Sequence, residues 1–213
     1  MAEFKTTGFV LQRQNFGEAD RLLKVFTRDF GLITVLAKGV RKPAARFGSA
    51  VEIFNELNLR LQRRTSEIFL LTEAGLPKFN QVQVLPNLRM LFLAAELILA
   101  LAPPEKKLPK VYAYFRSFWK NLGRVLESQC LHLIWVAFRV KILVTLGFLA
   151  LAQLPVGEQQ KLGRILLAQD FGEMRELAYA KGVLVNLDNF LQQVLQRILG
   201  RDLRGAKVTG DWI

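Results

Sequence analysis

The sequence is short of the residues that most often perform catalysis. It contains one cysteine and one histidine among 213 residues, Cys130 and His132. A single cysteine excludes an intrachain disulfide and a paired-cysteine metal site, and it suits a reducing cytoplasm. On the helix predicted there, the two side chains would point about 200° apart, so they cannot work together as a nucleophile and its base. We interpret them as a buried thiol and a histidine at the edge of a core.

Phosphate-binding glycine motifs are also absent. The glycines of the first forty residues are spaced as in strands and turns, and no Walker A loop or dinucleotide fingerprint occurs. An enzyme that relies on carboxylates alone stays open, but no motif singles out a pair of acidic residues. We therefore predict no catalytic residue, no cofactor and no bound metal.

Acidic residues are scarce relative to basic ones. The chain has 18 acidic and 30 basic residues, which gives a formal net charge of +12. Both sides of Asn80 are basic, so no detachable tail accounts for the charge. Such an excess favours a polyanionic partner. The alternative is that the charge only keeps the protein soluble.

Neither a signal peptide nor a membrane span is predicted. The N-terminal residues lack the order of a basic region followed by an apolar one. Leu88–Ala102 is too short to span a membrane, and Leu131–Leu154 contains Arg139 and Lys141. A central arginine costs about 2.5 kcal/mol or more in a span of roughly 20 residues. Both segments are predicted to be buried helices of a cytoplasmic protein.

What the first third of the chain does contain is strand patterning. The runs rich in strand formers are Phe9–Leu11, Leu22–Thr27, Leu32–Ala37, Val51–Arg63 and Ile68–Leu71. In the fourth run apolar residues alternate with polar ones, which places Glu56 on the face predicted to meet water. Five strands predict a small antiparallel barrel, with the OB-fold as the leading candidate and an SH3-like barrel as the alternative.

Helical periodicity replaces the strand pattern near Leu76. Two helices are predicted to begin at Pro86 and at Pro109. Four more are predicted over Val125–Leu146, Glu158–Gln169, Gly172–Ala180 and Leu187–Leu199. In the first of them the apolar stripe that is predicted to be buried includes Phe92. The predicted fold class is therefore α+β, with an all-β N-terminal domain over residues 1–80 and an all-α helical bundle over 81–213.

A basic loop follows the third predicted strand. Gly39, Pro43 and Gly48 mark it as a loop, and no acidic residue occurs between Asp29 and Glu52. We predict that it binds the phosphates of a nucleic acid through four cations, Lys38, Arg41, Lys42 and Arg46.

Three further residues complete the predicted nucleic-acid site. Phe47 lies inside the basic loop and is predicted to touch a base, whereas most other barrel aromatics are expected to fill the core. Arg63 and Arg64 follow the fourth strand, where they fit either solvated turn charges or nucleic-acid contacts.

The first third also resembles a known family. The series Gly17-Glu18-Ala19-Asp20, Val25-Phe26-Thr27, Gly31 and Ala37-Lys38-Gly39-Val40-Arg41 is similar to the N-terminal signature of RecO, the bacterial recombination mediator. The likeness continues through Val51–Ala74, and beyond it only the helical architecture is alike.

This resemblance implies a non-enzymatic protein of DNA repair and recombination in the bacterial cytoplasm, associated with the nucleoid. Such a protein binds single- and double-stranded DNA and anneals complementary strands. It helps load RecA onto DNA covered by SSB, together with RecR and in some settings RecF. The barrel is expected to bind DNA, and the helical domain is expected to bind the protein partners and to add further DNA contacts.

Many RecO proteins carry a four-cysteine zinc site in the helical domain. After Leu146-Gly147-Phe148, where those cysteines are expected, this sequence has none. The departure removes the zinc ligands.

Two other functions fit the residues. A basic OB-fold barrel would serve RNA equally well, which makes an RNA-binding or ribosome-associated protein the main alternative. The weaker alternative is a protein–protein adaptor that works through its apolar helical domain.

Overall fold

The structure is a computed structural model and describes residues 3–43, 45, 47, 50–64, 67–78, 85–123 and 127–203. The chain divides into two compact units. The first contains Met1–Gln81 and Leu101–Tyr112, and the second contains Val82–Ala100 and Ala113–Ile213.

The first unit is a closed five-stranded barrel. Its strands are β1 Glu3–Phe16, β2 Asp20–Thr27, β3 Gly31–Ala37, β4 Glu56–Arg63 and β5 Ile68–Lys78. They pair in the order β1-β2-β3-β5-β4, and β4 also pairs with β1 to close the ring. All pairs are antiparallel except β3 with β5, which is parallel. This arrangement confirms the predicted fold class and is that of the OB-fold rather than an SH3-like barrel.

Alternating side chains build the barrel core. Leu23 and Val25 on β2 point inward beside Ile33 and Val35 on β3, and all four are nearly inaccessible to solvent. Because successive strand residues face opposite sides, one face of each strand is committed to this core. Each such side chain contributes about 1.5–3 kcal/mol by its burial.

The beginning of β4 differs from the prediction. The strand begins at Glu56 and not at Val51, because Phe54 adopts a positive φ of 70°, far from the extended backbone of a strand. The Phe54 N–H donates to the Val10 carbonyl at 2.8 Å, which fixes this turn against β1. Residues 51–55 are therefore the last part of the connection between β3 and β4.

Glu56 was predicted to face water, and this was wrong. Its relative exposure is 2%, and the Tyr112 hydroxyl donates a hydrogen bond to its carboxylate at 3.4 Å. The outer face of the barrel is covered here, since the Tyr112 ring also lies 5.7 Å from the rings of Phe9 and Phe26. Period two identifies the outward face of a strand, but it does not show whether another segment covers that face.

The covering segment is held on the barrel by main-chain contacts. Pro104 forms a parallel bridge with Leu32 of β3, and the Glu105 N–H donates to the Leu32 carbonyl at 2.9 Å. Gly31 has a φ of 68°, and a Cβ built on it would lie 1.9 Å from the Lys106 carbonyl oxygen. Gly31 is therefore required both by its backbone conformation and by this close approach.

Replacing Gly31 by Ala is expected to destabilise the protein by about 3 kcal/mol or more, because left-handed strain adds to a backbone clash. Urea unfolding would measure the loss. Gly17→Ala is the matched control, since Gly17 has a φ of 59° but nothing within 4 Å of a built Cβ. That variant should lose only about 1 kcal/mol. Equal losses at the two positions would contradict the role given to the Lys106 contact.

Five helices follow among the described residues. They are α1 Leu85–Leu101, α2 Pro109–Leu122, α3 Ser128–Thr145, α4 Glu158–Ala168 and α5 Lys181–Leu199, with short 3-10 turns at Leu151–Gln153 and Glu173–Glu176. In the second unit α3 packs against both α4 and α5. The predicted helix over Gly172–Ala180 was wrong, since only the second 3-10 turn occurs there. Phe171 and Met174 are both buried, and a 3-10 turn aligns side chains three residues apart.

Phe92 was also predicted on the wrong side of α1. Its relative exposure is 51%, whereas Met90, Leu91, Ala94 and Leu97 are buried. Almost every residue of α1 is apolar, so hydrophobicity alone does not mark which face meets the core.

Helix α3 is a core helix, although it is long and apolar enough to cross a membrane by length and composition. Its mean hydropathy is 1.3, and 67% of its residues are buried within the protein. The buried residues include Arg139 and Lys141, as well as Trp135. The Lys141 ammonium donates to the Leu167 carbonyl at 2.7 Å. Burial lowers the pKa of Lys141 to about 8, although Asp170 partly opposes that shift.

An ion pair anchors α5 to α3. The buried Arg139 guanidinium donates to the Asp188 carboxylate and lies 5.0 Å from the centre of the Trp135 ring. His132 Nε2 lies 2.7 Å from the second Asp188 oxygen. Burial alone would raise the pKa of Asp188, but Arg139 and the His132 hydrogen bond outweigh it and hold that pKa well below its usual range.

Asp188→Asn is expected to destabilise the protein by about 3 kcal/mol at neutral pH, because it leaves the Arg139 charge buried without a counter-ion. The Asp188 contribution is complete above the ordinary aspartate pKa near 4 and is lost as the pH falls through the lower folded-state value. The difference in unfolding free energy between wild type and variant should therefore shrink below about pH 4.

The exposed Glu176 offers the control, and Glu176→Gln should change stability by less than about 0.5 kcal/mol. Chemical denaturation of all three proteins between pH 3 and pH 7 would measure these effects. A difference for Asp188→Asn that is small at neutral pH, or that grows toward acid pH, would contradict the assignment.

Candidate nucleic-acid interface

The basic loop begins where β3 ends and is tied to the turn between β1 and β2. The Gly39 N–H donates to an Asp20 carboxylate oxygen at 2.8 Å, and the Arg41 N–H donates to the Ala19 carbonyl at 2.9 Å. Gly39 has a φ of 69°, which allows the tight turn closed by the Lys42 N–H on the Gly39 carbonyl at 3.2 Å. The first residues of the loop therefore have a defined backbone. We call this end of the barrel, with the turn 17–19 and the loop from Lys38, the basic end.

Three of the four predicted loop cations are exposed at the basic end. Arg41 donates from its guanidinium to the Gly17 carbonyl at 3.2 Å, so its charge is held beside the turn between β1 and β2. Within the described residues, the ammonium groups of Lys38 and Lys42 have neither a hydrogen bond nor an ion pair. Arg46 lies outside the described residues. Among the described residues, the basic end thus presents two unpaired ammonium groups and one oriented guanidinium.

Phe47 and the arginine pair occupy other environments. Phe47 is half-buried and packs against the barrel core. Arg63 forms an ion pair with Glu105 at 2.9 Å, and its guanidinium lies 4.1 Å from the centre of the Phe69 ring. Arg64 is exposed, and its N–H donates to the Ile68 carbonyl at 3.0 Å.

The barrel register separates these residues into two groups. Ala37 at the end of β3 is opposite Arg21, beside the turn that contains Gly17. Gln62, next to Arg63, is opposite Glu3 at the start of β1, and Arg63 also pairs with Glu105 of the segment held against the start of β3. The predicted site is therefore not one surface. Among the described residues, Lys38, Arg41 and Lys42 lie at the basic end, and the arginine pair lies at the opposite end.

The structure adds residues that the sequence alone did not single out. Arg13 of β1 and Arg21 of β2 both donate to Glu52, Arg21 at 3.1 Å, so one carboxylate serves two guanidinium groups at the basic end. Phe16, the last residue of β1, is 51% exposed directly before the turn at Gly17. An exposed aromatic ring beside unpaired cations is the arrangement in which bases stack. In the sequence, the position of Phe16 immediately before the turn glycine Gly17 could have indicated this exposure.

Electrostatically, the basic end is positive but not free of acids. Lys38, Arg41, Lys42, Arg13 and Arg21 face Glu18, Asp20 and Glu52, which leaves a surplus of two positive charges among these eight residues. Glu52 and Asp20 are occupied by arginines and by the loop backbone. The acids thus order the loop and leave the lysine charges uncompensated.

In the described residues of the helical unit, the cysteine and the histidine are not placed for catalysis. Burial raises the pKa of the Cys130 thiol, which disfavours the reactive thiolate, and His132 is bound to Asp188. In the part of the chain that the structure describes, no three His, Cys, Asp or Glu side chains lie close enough to hold a metal ion.

Comparison with known proteins bears on the same residues. Residues 1–79 match the family model described as Recombination protein O N terminal. A relative from Chloroherpeton thalassium named DNA repair protein RecO is 32% identical over 148 residues, covering 68% of this chain and 56% of its own length. Proteins of the same name from Symbiobacterium thermophilum and Rubrobacter xylanophilus are 26% identical over 161 residues and 46% identical over 55 residues.

These matches cover 58% of the Symbiobacterium protein and 22% of the Rubrobacter protein, so the chain spans at most little more than half the length of these relatives. The fold and the basic end define an OB-fold protein continued by an α-helical unit. The chain belongs to the RecO family, as the resemblance in its first third predicted.

Proposed function

We propose that this protein is a non-enzymatic mediator of DNA repair and recombination that binds DNA at the basic end of its barrel. The observation that carries the proposal concerns the ammonium groups of Lys38 and Lys42, which have no partner in the part of the chain that the structure describes. Both lie on a loop whose backbone is tied to Asp20 and Ala19. Because the loop backbone is already ordered, less conformational entropy is lost when its lysines bind phosphates. The names of the relatives, which refer to DNA repair, support DNA as the polyanion.

Base contacts at this end are assigned to aromatic rings. Phe16 is exposed beside the loop and is our first choice for stacking on a base. Phe47, which packs against the barrel core, is proposed for the same role. Arg63 and Arg64 are proposed as weaker contacts at the opposite end, since Arg63 is already engaged by Glu105.

Annealing follows from the same chemistry. A surface that neutralises phosphates while leaving base edges exposed lets two complementary strands approach each other. We therefore propose that the protein binds single- and double-stranded DNA, anneals complementary strands and assists RecA loading on SSB-coated DNA with RecR and RecF. An RNA-binding role would instead give preference for RNA over DNA of equal sequence in the same binding assays.

The loop cations are tested by replacing Lys38, Arg41, Lys42 and Arg46 by Ala together. Four phosphate contacts on a single strand account for about −3 in the slope of log K against log salt concentration, at about −0.7 per contact. The variant should flatten the slope by roughly two to three units and weaken binding with little sequence preference. Stability should hardly change, because solvated charges contribute little to it. Fluorescence anisotropy at several salt concentrations measures both quantities.

A matched control separates position from net charge. Lys110, Lys120, Lys161 and Arg164 are exposed cations on helices, and their replacement by Ala removes the same charge. This control should keep most of the affinity and the salt slope. Equal losses in both variants would mean that only net charge attracts DNA, and an unchanged loop variant would exclude the loop as the DNA site.

We further propose that the helical unit binds the protein partner, RecR or SSB. Val156 and Ile165 are exposed apolar side chains at 88% and 39%, as are Phe92 and Phe148 among the described residues of this unit. Apolar side chains exposed in this way are typical of interaction sites when they form a patch. We assign RecR and SSB to this unit because we assign the cations of the barrel to DNA binding.

Replacing Val156 and Ile165 by Ser should abolish capture of RecR or SSB while leaving DNA affinity within about twofold of wild type. Phe16→Ser, which removes an exposed apolar residue from the barrel, should retain partner capture and weaken single-strand binding. Pull-down with purified partners and anisotropy measure the two properties. The opposite partition of effects would overturn the assignment.

A further inference from the structure

A second cationic cleft lies on the wall of the barrel formed by β1, β4 and β5. It encloses about 450 Å³ and is lined by Lys5, Thr7, Arg28, Asn58, Arg60 and Gly75, among others. None of these residues belongs to the basic loop. The cleft follows directly from the strand register, which aligns side chains of three neighbouring strands in rows across the wall.

One row forms the floor of the cleft. Thr7 of β1 is opposite Asn58 of β4, and Asn58 is opposite Gly75 of β5. A Cβ built on Gly75 meets nothing within 4 Å, so the missing side chain leaves open space at this end of the row. Glycine in a strand interior weakens the strand and often marks a site where a ligand approaches the backbone closely.

The next row supplies the charge. Lys5 is directly opposite Arg60, and Arg60 is opposite Glu73. Like charges on directly opposite residues are destabilising, and Glu73 compensates only one of them through its ion pair with Arg60 at 2.9 Å. Within the described part of the chain, the Lys5 ammonium has no partner. The cross-strand pair therefore retains a positive charge that an anionic ligand would neutralise.

Arg28 forms the rim. The backbone N–H of Arg28 donates to the Thr7 carbonyl at 2.9 Å, which fixes the Arg28 backbone beside the floor. The Arg28 guanidinium contacts the carboxylate of the neighbouring Asp29 at 3.3 Å. Counting Lys5, Arg28 and Arg60 against Glu73 and Asp29 leaves one positive charge, and Lys107, 3.9 Å from Asp29, adds another. The cleft is thus cationic even after its acids are counted.

We propose that this cleft holds the phosphate backbone of a second single strand of nucleic acid. Its polar floor and cationic rim suit phosphates, and among the described residues its lining contains no aromatic side chain on which a base would stack. A strand held only through its backbone keeps its base edges free to pair with the strand at the basic end. The inference rests on the proposed function, because it requires the basic end to hold the first strand.

The cleft can be closed without changing its charge. Gly75→Leu fills the floor with a side chain that the open space accommodates, and Gly75→Ala is the small-volume control. Lys5→Ala combined with Arg28→Ala removes the charge without adding volume. Lys110→Ala with Lys120→Ala removes the same charge from exposed positions on α2 and is its control.

Native mass spectrometry at low salt would count bound oligothymidylate of about 12 nucleotides, a length within the range that one OB fold covers. Wild type, Gly75→Ala and the Lys110/Lys120 control should bind two molecules per chain. Gly75→Leu and the Lys5/Arg28 variant should bind one, and their annealing rate should fall about tenfold. When the cleft no longer binds a strand, the phosphate contacts of Lys5, Arg28 and Arg60 are all lost. The slope of log K against log salt concentration for total binding should therefore flatten by about two units, at about 0.7 per contact.

The outcomes separate the two proposals. Wild type binding no oligothymidylate would overturn the proposed function and this inference together. Wild type binding one molecule, or two that both cleft variants retain, would overturn this inference alone, provided that the loop variant still loses affinity. If Gly75→Leu does not fold, the Lys5/Arg28 variant decides the same question by itself.

Discussion

The parallel pairing of β3 with β5 is the constraint on which the arrangement of the site depends. Because β5 lies between β3 and β4 in the ring, the chain that leaves β3 must cross the end of the barrel to begin β4. That crossing is the connection that starts with the basic loop. A meander would have joined neighbouring strands by a short turn, whereas this topology requires a long connection at one end.

Acidic residues give the basic end its order. Asp20 accepts the Gly39 N–H, and Glu52 accepts from Arg13 and Arg21. Each acid therefore satisfies groups that would otherwise stay mobile or repel one another, while the loop lysines remain available. A carboxylate has a similar structural role in the helical unit, where Asp188 contacts both the buried Arg139 and His132. Asp20, Glu52 and Asp188 thus serve structural roles in a chain with an excess of basic residues.

The segment 101–112 shows how an exposed strand face becomes a buried one. Tyr112 covers Phe9 and Phe26 and reaches Glu56, and Glu105 bonds both to β3 and to Arg63. The segment therefore covers one face of the barrel and forms an ion pair with Arg63. The sequence pattern alone predicted neither contact. The wall beside Gly75 carries the cleft lined by Lys5, Arg28 and Arg60.

The sequence by itself determined the five strands, the change to helices and the basic loop, because period-two and helical patterning, glycines and charge are local properties. It also carried the family signature that the comparisons confirmed. Only the tertiary structure decided that Glu56 is buried, that Phe92 and Phe16 are exposed, and that Arg63 lies at the opposite end from Lys38. Those outcomes depend on strand register and on which distant segment covers which face. Neighbours across a barrel are set by pairing between residues far apart in the chain, which no local pattern records.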